Sequence, residues 1–210
     1  MSDVTRERII EGVLDLIRSR AVSDFSMEAL AEWIGVSRKT IYNHFPGKAE
    51  LLAQAVATGM NRVIEELRTI ARTRSIGFVD KLDRIVEEGF RETSRLWNPT
   101  TWAVGPRPPM EVRKTVDELD EHIRELIAEI VTEASANGLL SETVQPDILT
   151  QVIVNMINGI RSTGDTDAVP YQPLVVLRES LRVCMVGVLS HKGAETLRGS
   201  RILNAEGEPV

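Results

Sequence analysis

The sequence is short of the residues on which most active-site chemistry is built: 1 cysteine, 3 histidines and 4% aromatic residues in 210 positions. His44, His122 and His191 are scattered, and no zinc-ligand spacing, glycine-rich phosphate loop or nucleophile-and-base pattern occurs. Glu118 and His122 stand four apart in VDELDEHIRE, but one histidine among acids reads as a solvated helix face rather than a metal site. Catalytic residues, metal ligands and a cofactor are therefore not expected, nor is an enzyme. The lone Cys184 sits in VCMVGVL and reads as a small buried hydrophobe, not a redox sensor. That apolar run, Val183 to Leu189, is far shorter than the ~20 residues of a membrane span. The N-terminus MSDVTRERII mixes charges and lacks the apolar segment of an export signal. These absences argue against a membrane partner and predict a cytoplasmic protein.

What is present is ordinary soluble composition, 42% hydrophobic and 27% charged, enough for one large domain or two unequal ones. Helical periodicity runs almost throughout, with no period-2 strand pattern and turn signals at helix-length intervals, so an all-α fold is predicted. Residues 6 to 18 place Ile9, Ile10, Val13, Leu14, Leu16 and Ile17 largely on one stripe. Ser26 can cap a second helix bearing Met27, Leu30, Ala31 and Ile34. Gly35 can take the left-handed conformation that ends it, and Ser37 can cap a third helix that stops near Phe45, before Pro46. Helix, short glycine turn, helix is helix-turn-helix spacing.

That third helix lies in GVSRKTIYNHFPGK, residues 35–48, which carries three cationic side chains and no acid in a chain of net charge -6. With its surroundings, SMEALAEWIGVSRKTIYNHFPGKAELL, it resembles the N-terminal DNA-binding domain of the tetracycline-repressor (TetR) family of bacterial regulators, over about residues 8 to 52. The most specific positions are Gly35-Val36-Ser37, Thr40-Ile41-Tyr42, His44-Phe45, Lys48 and Leu51-Leu52. Three places depart from the family pattern: Ala21 for a usual glycine, Val13 for alanine, and Trp33-Ile34 for small residues.

A helix starting at Ser37 projects its first side chains toward base edges when it lies in a major groove. Arg38 and Lys39 can donate to guanine O6 and N7, Thr40 can meet a phosphate or a thymine methyl, and Asn43 can reach a base or sugar. Tyr42, His44 and Lys48 are donors suited to phosphate, and the resemblance implies backbone contacts there. Ser26 and Ser37 complete the DNA-facing set, while Ile41 and Phe45 should face inward. Phosphate repels an acidic chain, so the cations must be segregated onto the docking surface. Residues 1 to 50 still carry seven Lys/Arg against eight Asp/Glu, so non-specific affinity for DNA should be modest.

The DNA-binding domain is expected over 1–47, a larger helical regulatory and dimerisation domain over 48–190, and a polar, flexible tail over 191–210. Helices are predicted at about 48–72, 77–97, 110–136, 146–163 and 172–190, with a proline-rich connection over 98–109. The last two are apolar almost all the way round, which suits one face on the core and one on a second subunit. Val152, Met156, Gly159, Ile160, Leu177, Leu181, Cys184, Met185 and Val188 are the predicted interface, and in the resembled family the last two helices form a four-helix dimer contact. Phe90, Trp97, Trp102 and Met110, with Asn155 as an isolated polar group, are the candidate site for an apolar or aromatic effector. The resemblance implies a homodimeric repressor released from a palindromic double-stranded DNA operator by a small molecule. The alternative is a ligand-independent DNA-organising or interaction protein on the same fold.

Overall fold

The computed structural model describes residues 2–19, 26–97, 110–163 and 172–202. They form α1 (Ser2–Arg18), α2 (Met27–Ile34), α3 (Arg38–His44), α4 (Lys48–Arg72), α5 (Phe78–Trp97), α6 (Met110–Ala136), α7 (Pro146–Thr163), α8 (Pro173–Val188) and α9 (His191–Thr196), followed by a 3-10 turn, Leu197–Gly199. The fold is all-α. Among the described residues the only β-type pairing is an isolated antiparallel bridge between Leu140 and Leu189. None of these helices is long and apolar enough to cross a membrane. By packing, the chain divides into one unit of Met1–Val63 with Thr93–Glu121 and a second of Ile64–Glu92 with His122–Val210. The division therefore runs through α4, α5 and α6 rather than between α3 and α4.

In the first unit, α1 buries Ile9, Val13 and Leu14 completely, α2 contributes Leu30, and α3 contributes Ile41. Phe45 and Leu51 close the same core. Each short helix has explicit ends. Ser26 accepts the Ala29 amide at 3.1 Å at the start of α2, and Gly35 at φ 67° ends it. There the Gly35 amide donates to the Glu32 carbonyl and Val36 to that of Ala31, the Schellman pattern that only a left-handed residue permits cheaply. Ser37 accepts the Thr40 amide at 3.0 Å and starts α3. Ile34, one of the departures from the family pattern, is accommodated by Gly12 on α1: a Cβ at Gly12 would lie 2.1 Å from Ile34 Cγ2. The unusual bulk on α2 is thus matched by an absence of bulk on α1.

In the second unit a core of Phe90, Ile127, Val131, Leu149, Ile153, Leu177 and Leu181 is joined by Met185 and Ile202. Gly89 lets α5 approach α4, since a Cβ there would sit 2.8 Å from Leu67 Cδ1. Gly138, at φ 67°, ends α6 with the same pattern as Gly35: its amide donates to the Ser135 carbonyl and Leu139 to Ala134. The turn after α6 is stitched to the end of α8, Ser141 donating to the Val188 carbonyl at 2.9 Å and Ser190 to that of Leu139 at 3.0 Å. Across the helices, Arg68 meets Glu125 at 2.9 Å, Arg72 meets Glu129 at 3.0 Å, and the buried Lys81 meets Glu133 at 3.1 Å.

The segment after α8 corrects the expectation of a flexible tail. His191–Thr196 is helical, and Leu197 and Ile202 are buried. Gly193 fits only because it has no side chain, a Cβ there falling 1.9 Å from the Leu139 carbonyl oxygen. Ser200 is fully buried on the carboxylate of Asp83. Burial of two aliphatic residues and a saturated carboxylate outweighs the polar appearance of the segment. Residues 203–210 lie outside the described residues.

Candidate functional site

The candidate nucleic-acid interface is built on α3. Ile41 and Phe45 point into the core and leave Arg38, Lys39, Tyr42 and Asn43 on a contiguous solvent-facing surface, as spacings of one and four require in a helix. Thr40, His44 and Lys48 are half-buried at its margin. Ser26 and Ser37 are exposed, but each hydroxyl oxygen is occupied as a helix cap, and that of Ser37 also lies 2.7 Å from Thr40 Oγ1. Their first task is thus to fix the ends of α2 and α3, which aims the other side chains. The separation of inward Ile41 and Phe45 from outward Arg38, Lys39, Tyr42 and Asn43 is the one the sequence predicts.

Two groups of contacts were not legible in the pattern. Arg38, though exposed, has partners: its guanidinium forms an ion pair with Glu28 of α2 and lies 5.3 Å from the centroid of the Tyr42 ring. Tyr42 first and Glu28 second favour its charged form. Glu28 is in turn held below the usual carboxylate range, chiefly by hydrogen bonding to its own backbone amide, then by the charge of Arg38 and by the Ser26 hydroxyl. The second group anchors the domain. Arg6 of α1 stacks 5.4 Å from the Phe45 ring centroid and donates to Gln54, while Arg8 donates to the Ile34 carbonyl at 2.5 Å, a cation at the negative end of α2. Trp33, two residues before Gly35, is 63% exposed.

The candidate effector residues are not assembled in this way. Phe90 is buried in the core of the second unit. Asn155 faces solvent and accepts from Gln151 Nε2 at 2.8 Å, so its amide is satisfied by its neighbour one turn back and is not an isolated polar group over a cavity. Met110 is exposed at the start of α6. Trp102 and the side chain of Trp97 lie outside the described residues.

The residues of the expected subunit interface differ in burial within the chain. Leu177, Leu181 and Met185 belong to the chain's own core, because α8 turns them toward α7 and α6. Met156, Ile160, Cys184 and Val188 are half-buried against that core, and burial raises the thiol pKa of Cys184 above its ordinary value. Val152 and Gly159 remain exposed. On these two helices the solvent-facing aliphatic residues are Ile148 and Val152 of α7 and Val175, Val183 and Val186 of α8, of which Val186 is 80% exposed.

Comparison with known proteins places this geometry in context. Residues 9–55 match the family described as bacterial regulatory proteins, tetR family. The HTH-type transcriptional regulator SrpR of Pseudomonas putida is 37% identical over 57 residues, 27% of each chain. The chain spans only 27% and 40% of the length of the first two curated relatives it matches. The nucleoid occlusion factor SlmA of Vibrio campbellii is 24% identical over 177 residues, covering 80% of this chain and 87% of the relative. Among solved structures, a putative transcriptional regulator from Saccharomonospora viridis in complex with choline superposes with a TM-score of 0.71 at 18% identity, over 91% of this chain and 100% of that one. That likeness is one of fold.

Proposed function

We propose that the chain, whose residues 9–55 match the family described as bacterial regulatory proteins, tetR family, is a homodimeric repressor of that kind, which reads a palindromic operator with α3 and is released by a small apolar or aromatic molecule. The observation that carries the DNA reading is the outward face of Arg38, Lys39, Tyr42 and Asn43, held by the caps at Gly35 and Ser37. The exposed aliphatic face of α7 and α8 is the surface on which two copies meet, giving two reading helices about one DNA turn apart, ~34–36 Å, or a multiple of that. Effector binding belongs to the helical body beyond the reader, for which the choline complex of a protein of similar fold is the supporting parallel.

The test is selection of bound sequences from random DNA, followed by a salt series on the selected and a scrambled site. A palindrome should emerge. Lys48→Ala should weaken binding to all sequences alike and reduce the salt slope by about one, since one phosphate contact is lost. Lys39→Ala should cost about 1–3 kcal/mol on the selected site and relax preference at particular base pairs. If Arg38→Ala, Lys39→Ala and Lys48→Ala all retained wild-type affinity and salt slope, α3 would not be the reader.

The similarity to a nucleoid occlusion factor along 177 residues favours a second reading, a DNA-organising protein whose body only dimerises. Linkage separates the two: a true effector must lose affinity, by the same factor, when operator DNA is bound. A chain that binds DNA but shows no such coupled ligand supports the second reading.

A further inference from the structure

We propose that Glu28, which lies outside the reading helix, is a specificity-determining residue: through its ion pair it holds Arg38 against Tyr42, so that base preference at the position met by Arg38 depends on a carboxylate of α2. The inference rests on α3 being the DNA reader. An arginine alone on a helix surface samples many rotamers, and ordering it on a base edge carries an entropic cost. Here the guanidinium is bounded on two sides, by the Glu28 carboxylate and by the Tyr42 ring one turn along α3 at 5.3 Å. Glu28 is itself rooted, sitting in the first turn of α2 next to the Ser26 cap. The angle between α2 and α3 is in turn set by the Gly35 turn and the Ser37 cap. A continuous path of fixed groups thus runs from the frame of α2 to the plane of one guanidinium, leaving part of its N–H fork for a guanine.

The same pair acts on non-specific binding. Both side chains are more than half exposed, 58% for Arg38 and 54% for Glu28, so the pair adds little to stability and remains within reach of DNA. A carboxylate beside the arginine offsets its attraction for phosphate wherever the arginine has no base partner. On the right base pair the fork is satisfied from both ends. On the wrong one Glu28 lies near phosphate with nothing gained in return. Discrimination rises because non-specific binding falls.

Removing any acid near DNA raises affinity, so the experiment needs a charge control. Glu32, exposed on the same helix, provides it. Glu28→Gln, Glu32→Gln and Arg38→Ala, and each glutamine variant combined with Arg38→Ala, are measured on the selected site, on single-base-pair variants of it and on scrambled DNA, after thermal melts confirm the fold. Glu28→Gln is expected to lower the ratio of selected to scrambled affinity about tenfold. The loss should fall at the base pair where Arg38→Ala also loses preference. Glu32→Gln should raise both affinities alike, and in the Arg38→Ala background Glu28→Gln should behave like Glu32→Gln. Equal effects of the two glutamine variants, or an effect of Glu28→Gln that persists without Arg38, would overturn the proposal. If Arg38→Ala relaxes preference while Glu28→Gln does not, the role of Glu28 falls and α3 stands as the reader. If Arg38→Ala changes preference nowhere, the role of Glu28 falls with it, and Lys39→Ala and Lys48→Ala then decide whether α3 reads DNA at all.

Discussion

Ser200 and Asp83, 117 positions apart in the chain, meet with the serine Oγ donating to the aspartate carboxylate at 2.5 Å, both side chains out of solvent. The same carboxylate accepts the backbone amide of Arg201 at 2.8 Å and, at 3.4 Å, that of Ile202. A single side chain on α5 therefore holds the last turn among the described residues. Asp83→Ala leaves the buried Ser200 hydroxyl without its acceptor and removes that of the Arg201 amide, while the Ile202 amide keeps Ser200 Oγ at 3.1 Å, and should destabilise the protein by about 1–3 kcal/mol. Ser200→Ala, which keeps both backbone contacts, should cost distinctly less. Denaturant unfolding of the two variants checks the order, and an Asp83→Ala midpoint equal to wild type would remove the carboxylate from the account of how this segment is held.

Gly12→Ala should destabilise the first unit by about 1–3 kcal/mol, because the new methyl overlaps Ile34 Cγ2. The double variant Gly12→Ala, Ile34→Ala should be more stable than the sum of the two single losses, as a shared contact demands. Strict additivity in thermal melts would show that the two positions do not compete for the same space.

Charges placed on the two faces of α8 should give different failures. Leu181→Glu puts an unpaired carboxylate into the core and should unfold the second unit. Val186→Glu alters a residue that is 80% exposed in the single chain, so it should leave the circular dichroism unchanged and shift sedimentation from dimer to monomer. A Val186→Glu variant that stays dimeric would move the subunit contact elsewhere.

Glu11 should make a small acid-sensitive contribution. It pairs with Arg62 at 2.5 Å, and hydrogen bonding from Arg62, followed by its charge, holds the Glu11 carboxyl below its ordinary value of 4.5. A carboxyl depressed on folding stabilises the folded state above its unfolded pKa and loses that effect as pH falls through the folded one. With both side chains partly exposed, solvent screening limits the effect to a few tenths of a kcal/mol. Glu11→Gln should therefore differ slightly from wild type in urea unfolding at about pH 7 and converge with it at about pH 3.

How far the sequence could be read depended on how local the cause was. The ends of α2, α3 and α6 were legible because a serine, a glycine in a left-handed turn, or a proline sits at each boundary. The two faces of α3 followed from Ile41 and Phe45. Other features had no local signal. Glu28 and Arg38 are brought together by a turn whose angle no periodicity encodes. Asp83 acts on Ser200 only after the whole helical body has formed. On α8, Leu181 and Val186 look alike in a helix that is apolar all round, so inward and outward positions could not be told apart. Asn155 looked isolated among aliphatic neighbours, yet Gln151, one turn back, satisfies it at the surface.

Arg68 and Arg72 on α4 meet Glu125 and Glu129 on α6, and Glu133 continues the acidic row one turn further to receive Lys81. Acids repeated every turn make a poor ruler. Sliding one helix by a single turn, about 5.4 Å, would present each arginine to the next carboxylate with nearly the same attraction. Charge here holds α4 and α6 side by side without saying which rung belongs to which. Shape is less forgiving: the buried Leu67 of α4 sits over the bare backbone of Gly89 on α5, a fit that a slide by one turn would lose.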